Sequence, residues 1–149
     1  MLYWRFRKTG VDGGPIWISI VGEVYDVSEG TEYYTPGKSY AAFPGRDASV
    51  PYVTGKFTAE EAEKSTDELK LSDLPGLVEW REFYSTHDVY KFVGRLVDPR
   101  YYDENGNPTE AMMRLQVRYQ EAMMEREIQA QRRREERLKK QQAKAAAKQ

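Results

Sequence analysis

Residues 33–49 read YYTPGKSYAAFPGRDAS, and the interpretation of the whole chain starts from this stretch. It holds three tyrosines, two Pro-Gly pairs and one Arg-Asp pair. Glycine and proline favour turns, and the segment 39–43 between the two pairs has room for about one helical turn. The stretch is too polar for a buried strand and too aromatic for an ordinary surface loop. Its tyrosines therefore indicate a functional role beyond that of a loop.

Short strands are predicted on both sides of this stretch. Bulky and β-branched residues alternate over 16–20 and recur over 24–27 and 89–97, a pattern that is typical of strands. A helix is predicted directly after GRDAS, because proline is tolerated in a first helical turn. We expect the GRDAS residues to be structural, with Asp47 or Ser49 capping this helix.

Two further helices are predicted before the third strand. Thr58 and Glu61 have the spacing of a capping box and open an acidic helix. Within 72–86, four apolar side chains share one helical face; they are Leu74, Leu77, Trp80 and Tyr84. The chain therefore combines strands and helices, as an α+β domain does.

The C-terminal part has a helical pattern that changes character along its length. Within 109–128, apolar residues recur at helical spacing, namely Met112, Leu115, Tyr119 and Met123. Residues 129–149 are rich in helix formers but have no apolar face. Three interpretations stay open: a helix that docks on a larger assembly through 109–128, a solvated extension with Glu/Arg pairs, and attraction of 132–149 to an anionic partner.

Composition excludes several classes of protein. The chain has 149 residues, enough for one domain with its own core. It has no cysteine, so disulfides, thiolate metal sites and cysteine nucleophiles are excluded. No run approaches the roughly 20 apolar residues of a membrane-spanning helix, and the N-terminal MLYWRFRKTG lacks the apolar core of a signal peptide.

The charge is unevenly distributed between the two parts of the chain. Residues 1–107 contain 12 Lys or Arg and 18 Asp or Glu, whereas residues 108–149 contain 11 and 6. An acidic domain therefore carries a basic extension.

Four segments taken together resemble a known family. GPIWISIVGEVYDVS, YYTPGKSYAAFPGRDAS, LSDLPGLVEW and YKFVG follow in the order found in the cytochrome b5-like fold. More narrowly, they resemble the membrane-associated progesterone receptor family, and RLVDPRYYDENGNPT indicates its neuferricin-like branch. The resemblance implies a small α+β domain over 1–107, with a mixed sheet and helices that form a pocket, followed by a long helix in the extension 108–149. The family's usual lead-in is incomplete here, which fits either a short chain or a missing upstream piece.

The family binds haem, and the resemblance implies how this chain would do so. A tyrosine replaces the two histidines that hold the iron of true cytochromes b5, and His87 is the only histidine here. Matching the family's motif makes Tyr40 the metal ligand of a b-type haem. The implied pocket is walled by Tyr34, Tyr40, Phe43, Tyr52, Val53 and Tyr90.

The ligand chemistry is reasonable for a phenol. Its reference pKa is near 10, and ferric iron can bind the phenolate and displace the proton. Val89 stands where some family members have lysine, so no contact to a haem propionate is implied there. We expect His87 at the end of a helix, in a structural position.

The resemblance implies a binding module and not an enzyme. Its use would be haem carriage, regulation of a haem enzyme, or electron transfer. The alternative is a domain that has lost haem and serves as a structural subunit of a large assembly, docking through its C-terminal helix. The expected setting is intracellular, on endomembranes or in an organellar or other large assembly. Peripheral membrane contact and haem-mediated pairing of two chains are further options, whereas nucleic acid is not expected because the tail lacks aromatic residues for base stacking.

Overall fold

The chain forms one mixed sheet with helices packed on it. The computed structural model describes residues 2–3 and 8–148. Its strands are β1 (Leu2–Tyr3), β2 (Trp17–Ile20), β3 (Glu23–Asp26) and β4 (Lys91–Leu96). Its helices are α1 (Thr31–Tyr34), α2 (Ser49–Thr54), α3 (Ala59–Ala62), α4 (Leu74–Ser85) and α5 (Glu110–Ala147). Short 3-10 turns lie at Val11–Gly13, Thr66–Glu68 and Leu71–Asp73.

The sheet has the strand order β1-β4-β3-β2. β1 runs parallel to β4, and the other two pairs are antiparallel. Side chains on successive strand residues point to opposite faces, so Ile18 and Tyr25 join the main core while Val24 lies in a smaller cluster with Leu96. The three predicted strands and the mixed sheet are confirmed.

The segment between β3 and α2 differs in detail from the prediction. Its helix is α1, at Thr31–Tyr34, which was not predicted. Residues 39–42 form turns instead of the expected helical turn. Glycine and proline surround that segment, and its backbone closes only single turns, from Ala41 N–H to the Lys38 carbonyl and from Phe43 N–H to the Tyr40 carbonyl.

The turn between β2 and β3 has a strained backbone, and side chains from another part of the chain stabilise it. Val21 and Gly22 both have positive φ angles, 49° and 75°. Two-residue hairpins favour this geometry, but they favour Asn-Gly in it, and a β-branched residue with positive φ is costly. Val21 N–H donates to Ser49 Oγ at 2.7 Å, and Gly22 N–H donates to Asp47 Oδ2 at 3.3 Å. The residues before and within α2 therefore hold this turn.

The Asp47 carboxylate connects four parts of the fold. The residue is 2% exposed. Besides the Gly22 N–H, its oxygens accept from Ser19 Oγ at 2.6 Å, from Ser49 N–H at 3.1 Å and from the Tyr101 hydroxyl at 2.7 Å. A buried carboxylate needs such partners, because an unpaired one is strongly destabilising. The structural interpretation of GRDAS is confirmed, but neither predicted residue is the N-cap of α2: Ala48 has that position, and Asp47 bonds to the first N–H of the helix from one residue before it.

α5 is a single helix whose first turns belong to the domain. Thr109 caps it by accepting from Met112 N–H at 3.2 Å. Met112 and Leu115 are buried in the main core, Tyr119 packs against it, and Met123 is 39% exposed. The expectation that this row docks on another protein is therefore corrected: Met112 and Leu115 are already covered by the chain's own domain.

Two arginines fix the position of these first turns. Arg114 is ion-paired with Asp67 at 2.9 Å, and Arg118 donates to the backbone carbonyls of Thr66 and Leu69. Beyond them, every residue from 131 to 148 is exposed. None of the helices in the described ranges combines the length and apolar character needed to cross a bilayer.

We expect Asp47→Ala to lower the free energy of unfolding by about 3–5 kcal/mol, because it removes four hydrogen bonds and leaves buried donors unpaired. Chemical denaturation of the full chain measures this loss. Asp88→Ala is the matched control, since Asp88 is exposed and its carboxylate makes no hydrogen bond within residues 8–148. Equal stability of the two variants would contradict the structural role of Asp47.

Candidate functional site

Three buried tyrosines meet between α1, α2 and α4. The Tyr84 hydroxyl shares hydrogen bonds with Tyr34 at 2.5 Å and with Tyr52 at 2.6 Å, and the Tyr34 and Tyr52 oxygens are 3.4 Å apart. All three residues are at most 7% exposed. We call them the tyrosine triad; its hydroxyl groups bond to one another and to no other side chain in the described ranges.

Burial keeps the triad protonated. It raises the pKa of Tyr34 to about 12, although hydrogen bonds from its two partners act in the opposite direction. The pKa values of Tyr52 and Tyr84 are also raised, first by burial and then by the neighbouring phenols. An isolated charge in a low-dielectric site is unfavourable, so these are neutral phenols at ordinary pH.

Tyr40 lies beside the triad but differs from it in its hydroxyl group. Its ring stacks on Phe43 at 5.6 Å between centroids and meets the edges of Tyr52 and Phe57 at 5.1 and 5.4 Å. The side chain is half-buried, and its hydroxyl makes no hydrogen bond to any residue in the described part of the chain. Burial, followed by the nearby Tyr33, raises the pKa of Tyr40. Tyr40 therefore offers a phenol oxygen that is not already engaged.

Within the aromatic cluster, the Tyr90 hydroxyl likewise makes no hydrogen bond to any of the residues that the structure describes. Its ring stacks on His87 at 4.0 Å and packs edge-on against Tyr34 at 6.4 Å. Burial raises its pKa as well. A Cβ at Gly30 would lie 2.5 Å from the Tyr90 oxygen and 2.9 Å from the Tyr34 ring. Only glycine leaves room for these two rings at that position.

His87 has a structural position, as expected. Its Nδ1 accepts from the backbone N–H groups of Val89 and Tyr90, both at 3.1 Å. In a neutral imidazole the other nitrogen then carries the proton, so Nε2 has no lone pair to give a metal. The ring closes the turn after α4 and supports Tyr90.

The structure brings together most of the residues that the sequence predicted. The shared aromatic cluster contains Tyr34, Tyr40, Phe43, Tyr52 and Tyr90. Val53 points toward α4 instead, where a Cβ at Gly76 would lie 3.9 Å from its Cγ1. It packs against the main core beside the cluster.

Tyr84, Trp80 and Phe57 were not predicted as site residues. Tyr84 completes the triad, and Trp80 stacks on Tyr52 at 4.2 Å. Both belong to the helical face predicted within 72–86. The helical spacing of these aromatic residues was therefore visible in the sequence, but it was interpreted only as packing. Nothing in the sequence near Phe57 indicated its contact with Tyr40.

An apolar rim surrounds the aromatic cluster. It consists of side chains that are between 42% and 50% exposed, namely Tyr33, Phe57, Phe83 and Val89. Single exposed apolar residues are normal, but Tyr33, Phe57 and Phe83 each contact rings of the aromatic-lined site, as side chains at the edge of an apolar binding surface do.

The donor chemistry of the cluster fits a haem group. Among the described residues, no three His, Asp or Glu side chains are grouped to hold a metal ion. Tyr40 and Tyr90 supply unengaged phenol oxygens, which are hard ligands suited to ferric iron. The aromatic walls and the apolar rim suit the macrocycle. Because the rings now pack against one another, entry of a planar group requires rim side chains such as Phe57 to move.

Comparison with known proteins identifies the family. Residues 5–96 match the family described as cytochrome b5-like heme/steroid binding domain. The match spans more than half of the chain, and the chain belongs to this family. The match includes every predicted site residue from Tyr34 to Tyr90 and ends before α5.

The relatives place the chain in the neuferricin-like branch. A neuferricin homolog of Drosophila pseudoobscura pseudoobscura is 44% identical over 105 residues, which cover 69% of this chain and 36% of that protein. Membrane-associated progesterone-binding protein 4 of Arabidopsis thaliana is 45% identical over 95 residues, covering 64% and 38%. The chain thus spans little more than a third of the length of these relatives.

A solved structure supports the fold. A hypothetical protein from Arabidopsis thaliana with a cytochrome b5-like fold superposes with a TM-score of 0.53 at 30% identity. The superposition covers 61% of this chain and 83% of that one. The predicted fold class is therefore confirmed.

The buried phenols make stability fall at high pH. The pKa of Tyr34 is raised from 10.0 to about 12 on folding, so its contribution is complete below pH 10 and is lost as pH rises through 12. Tyr34→Phe should reduce the slope of unfolding free energy against pH in this window by about 1.4 kcal/mol per pH unit, the effect of one proton. Denaturant unfolding at stepped pH measures it.

Tyr33→Phe is the control for this measurement, because Tyr33 is 45% exposed and lies outside the triad. The control should retain the slope of the parent protein. A slope unchanged in Tyr34→Phe would show that Tyr34 already ionises normally in the folded state.

Proposed function

We propose that this domain binds b-type haem and that Tyr40 would hold its ferric iron through the phenolate oxygen. The observation that carries the proposal is the contrast within the aromatic cluster. The triad hydroxyls are engaged with one another, whereas the half-buried Tyr40 hydroxyl has no partner in the described ranges. The chain has no cysteine for thioether attachment, which supports non-covalent binding.

The residues around Tyr40 would hold the group as follows. Phe43 and Tyr52 contact the Tyr40 ring and would fix its orientation. Tyr34 and Tyr90 would wall the pocket on the side of Gly30, and Val53 would support Tyr52 from α2. Bound ferric iron would supply the Lewis acidity that displaces the phenol proton, and an anionic oxygen ligand favours the ferric state.

The proposal is a binding function and not a catalytic one. The family description names a heme/steroid binding domain, which supports a non-catalytic module for haem carriage, regulation or slow electron transfer. A single tyrosine ligand would leave the opposite side of the iron open, and a second chain could pair there. In this proposal residues 1–107 form the domain that contains the pocket. Residues 108–149 form an extension whose first helical turns pack on that domain.

A second candidate function is favoured by the packing of the same cluster. The triad hydroxyls are satisfied and the rings fill the space between them, so the domain is well packed without any ligand. Such a domain could serve as a haem-free structural subunit of a larger assembly. A haemin titration separates the two functions.

We expect the full chain to bind haemin with a high-spin ferric spectrum and a phenolate charge-transfer band. Tyr40→Phe should abolish that band and weaken binding by about tenfold or more, equivalent to at least 1.4 kcal/mol. The measurement is a haemin titration of the apoprotein, followed by absorption and electron paramagnetic resonance spectra. Tyr33→Phe removes the hydroxyl of an adjacent tyrosine and should leave both readouts unchanged.

The other outcomes each identify a different answer. Loss of the band in Tyr90→Phe alone would make Tyr90 the ligand. An unchanged spectrum in Tyr40→Phe would exclude Tyr40. If the parent chain does not bind haemin, the haem proposal is wrong and the haem-free structural function is the candidate that stays.

A further inference from the structure

α5 changes chemistry along one face while remaining a continuous helix. With 3.6 residues per turn, one arc of about 80° contains two successive groups of side chains. The first group packs on the domain and consists of Met112, Leu115, Tyr119 and Ala122. The second group follows on the same arc and, apart from Ala130, is basic: Arg126, Arg133, Arg137, Lys140, Lys144 and Lys148. We call this second group the basic stripe.

The basic stripe extends beyond the domain. Gln129 is the last α5 residue that lines the groove between α4 and α5, a groove of about 420 Å³ that also includes Leu71, Pro75 and Gly76. From residue 131 onward every side chain is exposed. The overhang from Gln129 to Lys148 is about 28 Å long at 1.5 Å per residue. Because the stripe continues the docked face, it faces the side of α5 on which the domain lies.

Where α5 still covers the domain, its basic side chains meet carboxylates. Arg126, the first residue of the stripe, lies 3.9 Å from Glu79 of α4. Arg114, on an earlier turn, pairs with Asp67 at 2.9 Å. The remaining five stripe residues form no ion pair within residues 8–148, because they lie on the part of α5 that extends past the domain.

Acidic side chains of α5 are kept off the stripe. Glu135 and Glu136 are the only acidic residues after Glu127, and both lie outside the basic arc. Arg134, which is also outside the arc, is the residue that pairs with Glu127, at 3.1 Å. The ion pair of Arg134 with Glu127 therefore leaves the stripe residues free of it, and Glu136 borders the stripe between Arg133 and Lys140.

We propose that the overhang of α5 binds an acidic α-helix of a partner protein, which lies along the basic stripe and abuts the groove between α4 and α5. Complementary charge recurring every three or four residues is the match that two adjacent helices can make.

The geometry disfavours a flat anionic membrane as the occupant. The stripe and the domain are on the same side of α5, so a plane laid against the stripe would run into the domain. A nucleic acid duplex would bring its phosphates next to the acidic residues at the root of the overhang, Glu79 and Glu125. Both remain outcomes that the experiment distinguishes.

Two matched triple variants of the full chain test the proposal. Arg133→Gln, Arg137→Gln and Lys140→Gln remove two arginines and one lysine from the stripe. Arg132→Gln, Arg134→Gln and Lys139→Gln remove the same charges from outside it. Glutamine is a good helix former, so both variants should retain the helical circular dichroism of the parent.

The probe is a synthetic helical peptide of about 20 residues, about 30 Å long, with glutamate on one face. We expect the stripe triple to weaken its binding by about tenfold, as three close charge pairs predict, and the off-stripe triple by less than about threefold. Fluorescence anisotropy measures both. Absence of binding to the parent, or equal weakening by the two triples, would overturn the proposal.

Two alternative probes and one proximity measurement complete the design. Phosphatidylserine-containing vesicles and duplex RNA are tested on the same variants, and tighter binding of either through the stripe would replace the acidic helix as occupant. Because the chain has no cysteine, Lys140→Cys and Lys139→Cys each create a unique thiol. An acidic peptide whose cysteine is activated as a pyridyl disulfide should exchange faster with the thiolate of the first variant, releasing pyridine-2-thione, and equal rates would contradict alignment along the stripe.

Discussion

The buried Asp47 carboxylate is the interaction on which the rest of the structure depends. It accepts hydrogen bonds from the Ser19 hydroxyl on β2, from the Gly22 backbone in the hairpin turn, from the start of α2 and from Tyr101 after β4. The β2 hairpin, the start of α2 and the segment after β4 are distant from one another in sequence, and one carboxylate fixes their relative positions. An apolar contact could not do this, because burial is non-directional whereas a hydrogen bond has a preferred distance and angle.

The candidate site follows from this constraint. α2 carries Tyr52, and its start is attached to Asp47, so the position of the tyrosine triad depends on the same carboxylate. Within the cluster, burial separates two kinds of phenol. The triad members share hydrogen bonds and have raised pKa values, whereas Tyr40 and Tyr90 retain unengaged oxygens at the apolar rim. Within the aromatic cluster, this contrast separates Tyr40 and Tyr90 from the triad as candidate metal ligands.

α5 combines a structural and an interaction role in one element. Its apolar turns pack against α4 and the segment around Thr66. Its basic turns continue past the domain on the same face. A continuous helix transmits orientation over its length, so docking of the first turns also sets the direction in which the basic stripe points. The acidic domain of residues 1–107 and the basic overhang of α5 are thereby held apart, so their charges do not neutralise each other.

The sequence by itself determined the class of fold, the three long strands, the amphipathic α4 and α5, and the family, because these features depend on local periodicity and on short motifs at fixed separations. It also placed Tyr34, Tyr40, Phe43, Tyr52 and Tyr90 in one site through the resemblance. It could not determine that Tyr84 joins Tyr34 and Tyr52, that Asp47 rather than Ser49 bonds to the start of α2, or that Met112 and Leu115 are covered by the chain's own domain. Those features depend on which distant side chains meet, and only the tertiary structure decides this, because a hydrogen bond or a buried contact requires both partners at a specific distance in space.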